Sequence, residues 1–311
     1  MAGSSKKVVF AALAGNTLIA LTKFGAAALT GSSAMLSEAI HSLVDTGNQG
    51  LLLLGMRRAQ KPPDKQFPFG YGKELYFWSF VVALLIFALG AGISIYEGIH
   101  GILHPGPIEN PVYNYVVIGC AILFEGLTFV VATTEFRKVK GDLGYVQAIR
   151  LGKDPSMFTV LFEDSAALLG LAVAFAGVFG AESTGAWWLD GAASIVISAI
   201  LGATAIWLAV ETKGLLIGEA ARPSVVRGIR EKVGAHGCVA GINEVLTMHV
   251  GPEFVLATVS VTFAPEASAA EVQRAVADID REIRATWPIV RRVYIEGEAP
   301  HAAQAHGPET A

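Results

Sequence analysis

Six apolar runs, 8–29, 33–56, 76–101, 112–134, 157–180 and 188–210, dominate the chain. Each is near the roughly 20 residues an α-helix needs to cross a bilayer. A segment that spans lipid must satisfy its own backbone polar groups, so runs of this length point to a helical membrane bundle. Composition agrees: 53% of the 311 residues are hydrophobic and 16% charged, against about 25% charged in soluble domains. Beyond 212 the pattern changes to that of an ordinary polar globular segment. The sequence therefore predicts a transmembrane domain over 1–212, a soluble α+β domain over 213–298, and a disordered tail over 299–311, rich in small and polar residues.

Charge placement fixes an orientation. Lys6, Lys7, Arg57, Arg58, Lys61, Lys65, Lys73, Arg137, Lys138, Lys140, Arg150 and Lys153 all fall on one side of a six-span arrangement. The loops on the other side, about 30–33, 104–111 and 181–187, contain no Lys or Arg. By the positive-inside rule both termini are cytoplasmic. Lys6 and Lys7 ahead of an apolar stretch also have the layout of a signal peptide. The run is longer than a signal core, however, and Asn16 and Lys23 interrupt it, so it reads as the first span. Its Ala- and Gly-rich style and compact loops suggest a bacterial plasma membrane. The net charge of −4, with no basic arm, argues against a nucleic-acid partner. Cys120 and Cys238, in different domains, make neither a disulfide framework nor a thiolate metal site.

In the soluble segment, 225–235 reads as an amphipathic helix. Next, 241–250 and 253–265 read as two strands around a Gly-Pro turn, and 268–286 as a helix capped by Ser268. A final strand covers 289–296. Helix-strand-strand-helix-strand suits a small sandwich with helices on one face of a sheet.

Ionisable groups at bilayer depth are costly and mark functional sites. His41 and Asp45 lie four residues apart in the second run, so both project from one helix face. An imidazole and a carboxylate at one-turn spacing form half of a tetrahedral site for a metal such as zinc. Glu38 and Asn48 extend the same stripe. Lys23, alone of the Lys and Arg residues within a span, needs a carboxylate partner or must snorkel to the interface. Glu97 and Glu125 also lie within spans, without assigned partners. Asp190, opening the sixth run, reads as a cap or interface residue.

Residues 31–45, Gly-Ser-Ser-Ala-Met-Leu-Ser-Glu-Ala-Ile-His-Ser-Leu-Val-Asp, closely resemble the second-helix signature of the cation diffusion facilitator family. Phe69-Gly70-Tyr71-Gly72-Lys73-Glu74 resembles that family's Phe-Gly-His-Gly-Lys-x-Glu loop with shortened spacing. The segments 45–49 and 161–167 look most like the branch that includes zinc transporter nine of animals. The resemblance covers about residues 8–298. It implies six spans, a cytoplasmic ferredoxin-like domain, and a homodimeric antiporter that exports a divalent cation in exchange for protons.

The resemblance also implies a ligand set: two residues of the second helix, His41 and Asp45, and two of the fifth. There the family's aspartate maps onto Asp164, but its partner four residues earlier falls on Val160, which cannot bind metal. Glu163 is the neighbouring carboxylate, rotated by about 100° from Asp164 on an ideal helix; its side chain or a water is expected at the fourth position. Asp164 and Glu163 each have a rival role as the partner of Lys23. One nitrogen with several oxygens makes a harder site than two histidines, relaxing selectivity from zinc toward other divalent transition metals. Ligands must be deprotonated to bind, so metal and protons compete at these groups.

Relatives carry further His-built sites in the loop and tail. Here Asp64 remains but Tyr71 replaces the loop histidine, His236 and His249 read as isolated, and no tail zinc site is expected. The alternative to transport is a membrane scaffold or metal sensor that keeps the fold. No nucleotide-binding glycine loop or nucleophile-base motif suggests an enzyme.

Overall fold

The computed structural model describes residues 2–108, 112–140, 144–150 and 155–298. It divides into two units. The first is built from Met1–Gln60 with Glu74–Lys213, the second from Lys61–Lys73 with Gly214 onward. The expected tail over 299–311 lies outside the described residues. Residues 61–73, which sequence order places in the membrane domain, thus belong with the C-terminal unit.

The first unit is helical: α1 (Ala2–Thr30), α2 (Ser33–Ala59), α3 (Lys73–Leu85), α4 (Gly92–Leu103), α5 (Val112–Lys140), α6 (Tyr145–Arg150), α7 (Pro155–Thr184) and α8 (Trp188–Ile217). Among the described residues four stretches are long and apolar enough to cross a membrane: Lys73–Leu103, Val112–Thr134, Phe158–Thr184 and Trp188–Ile217. Helix α2 falls short of this apolar standard because of its own polar stripe. Glu38, His41, Ser42, Asp45 and Asn48 are all buried. The outward faces carry large exposed apolar side chains such as Leu84, Phe87, Leu123, Leu127, Phe179 and Val210. Apolar outside and ionisable inside is the inverse of a soluble bundle and the arrangement that lipid demands.

Three local devices shape the bundle. Gly31 turns the chain between α1 and α2 at φ 65°, a left-handed conformation that favours glycine. Ser32 then caps α2, accepting from the Met35 N–H at 3.1 Å. Helices α3 and α4 form one continuous stretch through a π-helical turn, Ile86–Ala91. The Ser198 hydroxyl of α8 donates to the Ala91 carbonyl at 2.8 Å, engaging a backbone oxygen of that turn. Helix α2 packs against α1, α4 and α7, and α5 packs against α1 and α7.

The second unit has α9 (Pro223–Gly234), β1 (Val239–Gly251), β2 (Phe254–Phe263), α10 (Ala269–Thr286) and β3 (Val290–Gly297). The strand order is β1-β2-β3, with β1 antiparallel and β3 parallel to β2. This is the expected helix-strand-strand-helix-strand order. Alternation along β2 buries Val255, Ala257, Val259 and Val261, which pack with Ile229 and Val233 of α9 and Ile279 and Ile283 of α10. Ser268 caps α10 in a capping box with Glu271. The 61–73 loop has its own support. Asp64 accepts from the N–H groups of Gln66 and Phe67 at 2.9 and 2.7 Å. It also accepts from the Tyr71 hydroxyl at 2.5 Å. These donors, the phenol first, hold the Asp64 carboxyl below its ordinary range.

Candidate functional site

The α2 stripe exists because residues at i, i+3, i+4 and i+7 share a helix face, and here that face is turned into the bundle. His41 and Asp45 stand 3.5 Å apart, Nε2 to Oδ2, and both are buried. That separation is too long for a good hydrogen bond. Both ring nitrogens of His41 and the Asp45 Oδ1 lack a hydrogen-bond partner among the described residues. Buried polar atoms left unpaired cost about 1–3 kcal/mol each, so inward-facing donors of this kind need an explanation in function or solvation.

Lys23 resolves one expectation by correcting another. Its Nζ lies 3.1 Å from Glu38 Oε2 and 2.8 Å from Ser42 Oγ, fully buried. Its partner is therefore Glu38, one turn before His41, rather than Asp164 or Glu163. Gly170 of α7 makes room for this pair: a Cβ there would collide with Glu38 Oε1.

Helix α7 brings Glu163 against α2. The Asn48 amide donates to Glu163 Oε1 at 3.0 Å, and the group is buried. Asp164, next in sequence, is also buried, with its Oδ2 unpartnered among the described residues. On α7, Glu163 and Gly170 thus face α2, whereas the family resemblance selects Val160 and Asp164. Thr159 is fully buried, and its hydroxyl has no partner among the described residues. A lone threonine in an apolar run carries no mark of this in the sequence.

Glu125 of α5 was also left without a role. It is buried and close enough to interact electrostatically with Glu38, Asp45, Glu163 and Asp164. Around α2 and α7, among the described residues, the bundle therefore gathers Glu38, Asp45, Glu125, Glu163 and Asp164 with the His41 imidazole and the Lys23 ammonium. No three His, Cys, Asp or Glu side chains among the described residues converge closely enough to hold one metal ion. His41–Asp45 and Asn48–Glu163 come together as pairs; the four expected ligands do not meet at one point.

Asp190 is a cap, as expected, but of a distant helix. Its carboxylate accepts from Ser32 Oγ at 2.7 Å, Ser33 N at 2.6 Å and Ala34 N at 3.3 Å, at the N-terminus of α2. His236 is not isolated: it lies 3.8 Å from Glu282, which Lys232 also approaches at 3.9 Å.

With this geometry in place, residues 9–217 match the model of the cation efflux transmembrane domain. The chain belongs to the cation efflux, or cation diffusion facilitator, family. The matched segment is that family's transmembrane domain. The chain is 36% identical over 260 residues to the proton-coupled zinc antiporter SLC30A9, mitochondrial, of Xenopus laevis, covering 83% of this chain and 46% of that protein. It is 36% identical over 218 residues to metal tolerance protein C4 of Arabidopsis thaliana, covering 70% and 48%. An uncharacterised transporter of Synechocystis, sll1263, is 30% identical over 207 residues, covering 67% and 62%. The chain spans about half the length of the SLC30A9 and C4 relatives.

Proposed function

We propose that this chain is a proton-coupled antiporter that exports a divalent metal cation, zinc first, from the cytoplasm. The observation that carries the reading is the buried α2 face beside a carboxylate-rich α7, where His41 and Asp45 stand 3.5 Å apart and, among the described residues, both ring nitrogens and Asp45 Oδ1 have no hydrogen-bond partner. His41 supplies a neutral nitrogen, and Asp45, Glu163 and Asp164 supply oxygens, with the buried Thr159 hydroxyl as a further oxygen. In the conformation described here these groups form pairs. Bringing α7 onto α2 assembles the set around the ion, as alternating access requires of a midplane site. Each ligand sheds its proton to bind metal, which couples the two flows. The name of the SLC30A9 relatives, proton-coupled zinc antiporter, supports both substrate and coupling.

We place the protein in a plasma membrane of bacterial type, with six spans formed by α1, α2, α3–α4, α5, α7 and α8 and both termini cytoplasmic. The one-sided Lys and Arg distribution supports this orientation. The C-terminal unit serves as a ferredoxin-like module lacking an opening strand, and joins two copies as a homodimer. Proteoliposomes should accumulate zinc under a proton gradient, and Asp45→Ala should abolish uptake while the protein still folds. Undiminished flux in that variant would falsify the transport site. The lack of a three-ligand cluster among the described residues favours one other reading, a scaffold that retains the fold. Calorimetry separates the two, because a folded scaffold takes up no zinc at this site.

A further inference from the structure

Outside the bundle interior, a second pair of metal-ligating side chains stands at the far end of α4. His100 lies in its last turn, and His104 is its C-cap, with a backbone N–H that donates to the His100 carbonyl at 2.9 Å. Their ring centroids are 4.8 Å apart with planes 31° apart. Both residues are exposed. Tyr96, one turn earlier, stacks beside His100 with ring centroids 6.3 Å apart. Pro105 ends the helix, so no following turn covers the His104 ring.

We propose that His100 and His104 form a two-imidazole site for a divalent transition cation of the zinc–copper class. Two histidines one helical turn apart on one face are an established way to chelate such an ion. An ion held at about 2.0–2.1 Å by a nitrogen of each ring keeps the ring centres roughly 5 Å apart, so the observed spacing needs little adjustment. No third His, Cys, Asp or Glu completes the group among the described residues, so water or an added chelator fills the remaining positions. Such a site is exchangeable and far weaker than a closed four-ligand site. On the orientation proposed above, which this placement rests on, the pair lies on the face opposite the cytoplasm, where an exported ion emerges. Binding itself does not depend on that orientation or on transport.

The test uses the full chain in nanodiscs with copper(II)-iminodiacetate, a probe that leaves coordination positions for two imidazoles. Electron paramagnetic resonance should report two coordinated nitrogens from one helix. His100→Ala and His104→Ala should each lower copper-probe affinity at this site at least tenfold. Both positions are exposed, and His100→Gln gives a second, more conservative variant. A spectrum unchanged in all three variants overturns the proposal, as does loss in only one of the two histidine positions, which means single-ring binding. Asp45→Ala serves as the control: its copper signal should match wild type even when its zinc flux is gone, which keeps failure of this site distinct from failure of the transport site.

Discussion

Lys23 is the residue whose environment is most demanding. A fully buried ammonium costs several kcal/mol in desolvation, offset only when its partners are well placed. Glu38 at 3.1 Å and Ser42 at 2.8 Å are such partners. Removing one member leaves the other charge uncompensated, so Lys23→Met should destabilise the protein by about 3–5 kcal/mol. Lys23→Met combined with Glu38→Gln should recover most of that loss. Unfolding in detergent across the double-mutant cycle reads the coupling; additive losses would show that the pair does not act as a unit. The sequence announced that Lys23 needed a carboxylate or a route to the interface, yet not which, because that choice depends on how α1 rotates against α2. His41 and Asp45 were legible because their spacing alone puts them on one face. Thr159 was not, since one threonine in an apolar run gives no sign of which face it takes.

At the scale of elements, α2 depends on a carboxylate 157 positions away: Asp190 accepts the backbone N–H of Ser33 as well as bonds from Ser32 and Ala34. Four N–H groups at a helix start have no partner within the helix, and a negative charge there also complements the helix dipole. Asp190→Ala should therefore cost about 1–3 kcal/mol and lower zinc binding through the site α2 carries. Asp190→Glu, whose longer arm must refit the same donors, should lie between. Thermal unfolding with a parallel zinc titration checks both, and a variant as stable as wild type would show that solvent replaces the cap. The α10 cap was readable in advance because Ser268 and Glu271 sit three residues apart in the chain. The α2 cap was readable only as a role for Asp190, not as a target. The π-helical turn at Ile86–Ala91 left no sign, since Ile-Phe-Ala-Leu-Gly-Ala is uniformly apolar with no change of period.

For the whole molecule the deciding quantity is the charge balance of the bundle interior. Among the described residues, Glu38, Asp45, Glu125, Glu163 and Asp164 are buried there with one ammonium, Lys23. Five ionised carboxylates facing one cation in a dry interior would be far more costly than any packing could offset. Without metal, the cluster must therefore carry protons. A divalent cation supplies the missing positive charge and displaces them, as ligand deprotonation requires. Zinc binding should accordingly release about one to two protons, and apparent affinity should rise as pH rises, by about tenfold per pH unit for each proton released. Calorimetric titration in buffers of different ionisation enthalpy measures that number directly. Asp45→Asn, which keeps the volume but removes one titrating group, should lower it by about one. If the enthalpy were the same in every buffer, the interior charge would be balanced without protons, and exchange of metal for protons would have no physical basis in this bundle.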